Sequence, residues 1–182
     1  MKRILILCLA SGAACAACAA DIPFRKLCGG DDAVYGAKKV GSGPELALAR
    51  DMDEMRRLWA ENVTGAYRDA GGMPAVDWEK DFVVAVFLGA RPSPGRGVRI
   101  SGVALKEKAL EITVREDAPP SASPSTPARA ASPYAMAACA RAGVPLAEIL
   151  MLRLVAADGG TLVERPAWSY HMLDASGGEG AR

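Results

Sequence analysis

The residues that could carry chemistry are few and widely spaced. His171 is the sole histidine in 182 residues, with Asp174 three positions on and Trp168 and Tyr170 just before it. A hydrolase needs an activated nucleophile beside a positioned base. Cys28 and Cys139 lie far from His171 along the chain, and nothing local brings either to it. One histidine and two distant cysteines do not give a zinc-site spacing. Asp51, Asp53 and Glu54 crowd a helix start, where carboxylates cap free N–H groups and favour the positive end of the dipole. That accounts for them without a cation. No catalytic, metal or cofactor residue is expected, and the chain reads as a non-enzyme. An enzyme of unknown class would require His171 to converge with Ser, Cys or acidic side chains in a pocket.

The other candidate is the run Arg91-Pro92-Ser93-Pro94-Gly95-Arg96-Gly97. Its glycines and arginines invite comparison with phosphate-binding loops. Those loops end in Gly-Lys-Ser/Thr and feed a helix N-terminus, whereas the segment after Gly97 reads as a strand. The spacing predicts a wide hairpin loop. A restricted, exposed loop suits protein recognition, so Arg91, Pro92, Ser93, Pro94, Gly95 and Arg96 are the expected contact residues.

The elements around that loop are readable from hydrophobic period. Phe82 to Leu88 is a continuous apolar run with no polar residue, too short to cross a bilayer, which predicts a strand buried on both faces. Val98, Ile100, Leu110, Ile112 and Val114 alternate with polar or small neighbours, as half-buried antiparallel strands do. Lys106-Glu107-Lys108 is their exposed connection. Asp51 to Asn62 is the best helix: Asp51 and Glu54 have capping-box spacing, and Met52, Met55, Leu58, Trp59 and Val63 form one stripe. That spacing makes Trp59 a core residue before a ligand platform. Asn62-Val63-Thr64 matches a glycosylation sequon, a short pattern frequent by chance. Glu45 to Arg50 is a strand candidate, and Tyr134, Met136 and Ala138 suggest one face of another. Ile149 to Val155 is a strong one, with Ala157 to Gly160 as a turn into Thr161–Glu164. Asp117 to Ser132 carries four prolines among Ser and Ala and has little to bury. The expected architecture is α+β: a small antiparallel β-sheet, or a partly closed sheet domain, with one packed N-terminal helix.

The ends divide off by composition. Residues 1–20 have a charged start (Lys2, Arg3), a short apolar run and a small-residue end, the pattern of a secretory or lipoprotein signal. Cys15 and Cys18 are the candidate lipidation sites. Residues 21–44 read as a linker or irregular arm, 45–173 as one domain and 174–182 as a loose tail. Removing Lys2 and Arg3 from the 22 basic residues leaves 20 against 21 acidic ones. This near-neutral body gives no reason to expect nucleic-acid binding, and membrane association only through a lipid anchor. Export into an oxidising compartment would leave Cys28 and Cys139 as a candidate disulfide. It would close a loop of about 110 residues, worth roughly 3–5 kcal/mol by chain entropy. The competing reading is two unrelated small buried residues.

From about Glu45 to Tyr134 the chain resembles the PrcB-like family of protease-complex accessory proteins. The resemblance runs through Val76-Asp77-Trp78, the Phe82–Gly89 strand, the Arg91–Gly97 loop, the paired strands after it and Ser132-Pro133-Tyr134. The family usually shows Pro-Thr-Gly-Gly-Tyr in the loop. Here Pro92-Ser93-Pro94-Gly95-Arg96 stands in its place, with Pro94 and Arg96 departing from the pattern. The resemblance implies an exported, often lipid-anchored periplasmic or cell-envelope protein that assists or stabilises a surface protease. The expected partner is therefore another envelope protein, a protease in the family reading. A protease inhibitor-like module, inserting the Pro92–Gly97 loop into a protease cleft, is the alternative among binding functions.

Overall fold

The central apolar run forms strand β4, Asp81–Phe87, and every one of its residues from Phe82 onward is buried. Because successive strand residues point to opposite faces, this run must be covered on both sides. Phe82, Val84 and Val86 enter one hydrophobic cluster, and Val83, Ala85 and Phe87 enter another. The expectation of a strand buried on both faces holds. The computed structural model describes residues 20–30, 43–63, 72–91, 97–117 and 132–167.

Two sheets and one helix make three layers. The four-stranded sheet has the order β2-β7-β4-β3, with β2 at Phe24–Gly30, β3 at Glu45–Ala49 and β7 at Tyr134–Ala140, all antiparallel. The five-stranded sheet has the order β1-β5-β6-β8-β9. Its members are β1 (Ala20–Asp21), β5 (Val98–Lys106), β6 (Ala109–Glu116), β8 (Met151–Ala156) and β9 (Thr161–Pro166). Leu110, Ile112 and Val114 of β6 meet Phe82, Val84 and Val86 of β4 in the cluster between the sheets. The outer face of β6 carries Glu111 and Thr113, so that sheet buries one face only.

Helix α1, Met52–Asn62, seals the other face of the four-stranded sheet. Met55, Leu58 and Trp59 pack there with Val63 just past the helix end. Ala47, Ala49 and Ala85 are small, which lets the helix lie close to the sheet. Asp51 Oδ1 accepts the Glu54 N–H at 2.8 Å, the predicted cap. The reciprocal bond is displaced by one residue: Glu54 Oε2 accepts from the Arg50 N–H at 2.7 Å. Arg141, just past β7, donates to the Arg50 and Asp81 carbonyls and so ties the helix start to β4. Trp78 packs against the edge of this cluster.

Three expectations are corrected. The fold is not α+β with one small antiparallel sheet. It is mostly β, with two sheets and a single short helix, and β6 pairs β8 in parallel. A parallel neighbour needs a crossover, which here passes through β7 in the other sheet. Period reveals which residues are buried but not which strand lies next to which. The run 88–97 does not close a hairpin either, because β4 and β5 belong to different sheets. Finally, the stretch 21–44, expected as a linker or irregular arm, contains strand β2. A register shift between Lys26 and Cys28 breaks the alternation that would have announced it.

Candidate functional site

The Arg91–Gly97 run leaves from one end of the two-sheet body, and its two bases are held by the end of β6. Arg91 Nη2 donates to Glu116 Oε1 at 3.0 Å. On the far side the Asp117 N–H donates to the Gly97 carbonyl at 2.9 Å, and Arg99 Nε donates to Asp117 Oδ1 at 3.0 Å. Before the loop, Leu88 N–H donates to the Pro133 carbonyl at 3.0 Å and Gly89 takes φ +72°, a left-handed turn open to glycine at little cost. The bases of the loop are thus fixed against two neighbouring residues of one strand end. Pro92, Ser93, Pro94, Gly95 and Arg96 themselves lie outside the described residues, as do Cys15, Cys18 and His171.

Beside the Gly97 base lies a cleft of about 340 Å³ lined by Lys26, Gly29, Gly30, Gly97, Arg99 and Asp117. It adjoins a groove of about 210 Å³ between Phe24 and Lys26 of β2, Val98 and Ile100 of β5, and Ala135 and Ala137 of β7. Gly29 allows β2 to approach β7 here, since a Cβ on it would stand 2.9 Å from the Tyr134 carbonyl oxygen. The sequence reading missed Phe24 and Lys26 because it placed them in the linker. Phe24 and Lys26 share a face, but the register shift after Lys26 sends Cys28 to the other one, which leaves too short a pattern to read.

The two cysteines are free and are not a disulfide. In the β2–β7 ladder Cys28 stands opposite Met136 and Cys139 opposite Phe24. Three residues of strand separate those positions, about 10 Å at 3.3 Å per residue, beyond the Cα separation of about 7 Å that a disulfide can span. Cys139 also faces the inter-sheet cluster while Cys28 packs against the helix-side cluster. Burial pushes the Cys28 thiol up to about 11. It pushes Cys139 to about 12, with the Asp81 charge adding to the rise. Neither is set up as a thiolate nucleophile at neutral pH.

Other candidates settle into structural roles. Asp51 and Glu54 cap the helix, and Asp53 pairs with Arg56 at 3.1 Å on its surface. Trp59 is core. Asn62 is buried and its Nδ2 donates to the Leu58 carbonyl at 2.9 Å, which leaves no room for a glycan on this sequon. Among the described residues no group of three His, Cys, Asp or Glu side chains could hold a metal ion, and no helix is long and apolar enough to cross a membrane.

The described framework is that of a two-sheet β domain whose residues flanking 92–96 are held by the end of β6. Its segment from 82 to 138, which is β4 through β7, matches the sequence model of the family described as PrcB C-terminal. The resemblance read from the sequence therefore holds over that segment, and this part of the chain is PrcB-like. No curated protein matches the chain, and no solved structure does.

Proposed function

We propose that this protein is an exported, non-catalytic accessory protein that binds and stabilises a protease of the cell envelope. One observation carries the reading: the PrcB C-terminal match begins at Phe82 and ends at Ala138, so it brackets the loop together with the strand ends that hold it. The association with a protease complex is inherited from that family. The signal-like first twenty residues support export, and Cys15 or Cys18 would supply a lipid anchor. The residues that flank 92–96 are held in place, Arg91 by Glu116 and Gly97 by Asp117, which favours this end of the domain as a contact surface.

The test is crosslinked capture from the native envelope, with the mature protein and a variant changed at Ser93, Pro94 and Arg96. The expected result is a protease, identified by mass spectrometry, captured by the native form and lost with the variant. Capture of no protease sinks the accessory reading. Capture unchanged by the variant moves the contact off the loop. Slowing of the captured protease by the purified protein would make this an inhibitor-like module instead.

A further inference from the structure

Among the described residues only half of the outer edge of β5 is paired. β1 pairs with Ala104 and Leu105, and Ile22 N–H reaches the Val103 carbonyl at 2.8 Å. There Pro23 turns the chain out of the five-stranded sheet and β2 begins in the other one. Among the described residues no strand pairs with the outer edge of Val98 to Gly102. The Asp117-to-Gly97 hydrogen bond sets the alternation of the ladder. Arg99 exchanges bonds with Arg115, so Val98 and Ile100 direct their N–H and C=O groups outward. Such a row is a template for one more strand.

The adjoining groove states what that strand should carry. Phe24 and Lys26 stand on the inner face of β2, opposite Cys139 and Ala137, and so line its mouth. Phe24 is 37% exposed, one of three large hydrophobic side chains left so open among the described residues. Lys26 is exposed and forms no ion pair among the described residues, whereas neighbouring Arg99 is matched by Asp117. The walls are apolar and the unmatched charge is positive.

We propose, resting on the accessory function above, that the partner protein docks an extended segment along Val98–Gly102 as an added strand. Its inward side chains alternate apolar residues with a carboxylate that meets Lys26. The added strand would lie in line with β1, satisfy the outward groups of Val98 and Ile100, and cover Phe24. Main-chain bonds supply the pairing, and the groove with Lys26 supplies the selection.

The probe is the peptide Ac-Thr-Val-Thr-Glu-Thr-Val-NH2, titrated at millimolar concentration into the isotope-labelled mature protein. NMR shifts and amide exchange are the readouts. The expected result is shift changes around the groove and slowed exchange at the Val98 and Ile100 amides. A peptide with Lys for Glu should bind about fivefold more weakly, and Lys26→Glu should reverse that preference. Peptides N-methylated at every second residue should lose binding in one phase and keep it in the other, because only one set of N–H groups faces β5. Changes confined to other surfaces, equal binding of both N-methylated phases, or indifference to Lys26→Glu would overturn the proposal. So would protection of Val98 and Ile100 that rises with protein concentration and needs no peptide, which would assign the edge to a second copy of this chain. Protease capture is scored separately. Peptide binding without capture would sink the accessory function and leave the edge as a strand-binding site, whereas capture without peptide protection would sink only the strand-addition mode.

Discussion

The four-stranded sheet is covered on one face by the second sheet and on the other by α1, whereas the outer face of the five-stranded sheet carries half-buried polar side chains, Glu111, Thr113 and Arg153 among them. Their central strands show the result. In β4 every side chain from Phe82 to Phe87 is apolar and buried; in β6 Glu111 and Thr113 interrupt Leu110, Ile112 and Val114. On the solvated face Glu111 pairs with Lys106, and Arg153 lies 3.7 Å from Glu111 and 2.9 Å from Glu164. Glu111 keeps 12% of its side chain exposed, and partly exposed surface pairs of this kind contribute about 1 kcal/mol each. Stability therefore concentrates in the doubly covered sheet, while the other sheet, unpaired along Val98 to Gly102 among the described residues, is the more tolerant of change.

The comparison breaks most readily at Phe82. Phe82→Ala should cost about 3–5 kcal/mol in urea or guanidinium unfolding. A loss below about 1 kcal/mol would show that the inter-sheet cluster does not hold the domain together. A matched pair of substitutions sharpens the contrast. Val83→Thr places a hydroxyl beneath α1 and should cost about 1–3 kcal/mol. Thr113→Val, on the solvated face of β6, should stay within about 0.5 kcal/mol of the native protein. Equal effects would mean that the helix does not exclude water from β4.

Alkaline titration gives a third contrast. The folded pKa of Cys139 lies above its unfolded value of about 9, so the folded state binds more protons between pH 9 and about 12. Its contribution is fully present below pH 9 and declines across that window, by at most about 1.4 kcal/mol per pH unit. Cys139→Ala should flatten this part of the stability profile, and an unchanged profile would show that the thiol is not buried. A small gain is expected in the five-stranded sheet, at the β5–β6 turn, where Glu107 holds φ +56°. Glu107→Gly should raise stability by about 0.5–1 kcal/mol by removing the left-handed penalty on a residue with a Cβ, read as a small rise in unfolding midpoint. A loss would mean that Glu107 makes compensating contacts.

The doubly covered sheet was also the easier to read in part. The unbroken run in β4 declared two buried faces, and the Asp51 and Glu54 spacing with the Met55–Trp59 stripe declared the helix. β5, β6 and β8 followed from period, but their partition did not. Nothing in Leu110, Ile112 or Val114 says that β8 will lie alongside in parallel, or that β4 will sit across the core and not beside them. Sheet assignment depends on contacts between residues far apart in sequence. β2 escaped because the shift after Lys26 and the two glycines at its end erased its pattern, and with it went Phe24 and Lys26. The loop run was legible as a contact candidate from its prolines and glycines. Its Glu116 and Asp117 supports were not, since they lie on a strand about twenty residues away.

The switch at Pro23 has a mechanical consequence. Two residues of β1 and the seven of β2 stitch together the margins of both sheets. A molecule held by its N-terminus would feel any tug at that seam first. β1 would peel away before β2 and well before β4, lengthening the free margin of β5 while the doubly covered sheet stayed shut. Tension applied from the N-terminal side would thus act on the margin where a partner is expected to add its strand, leaving the core to bear load last.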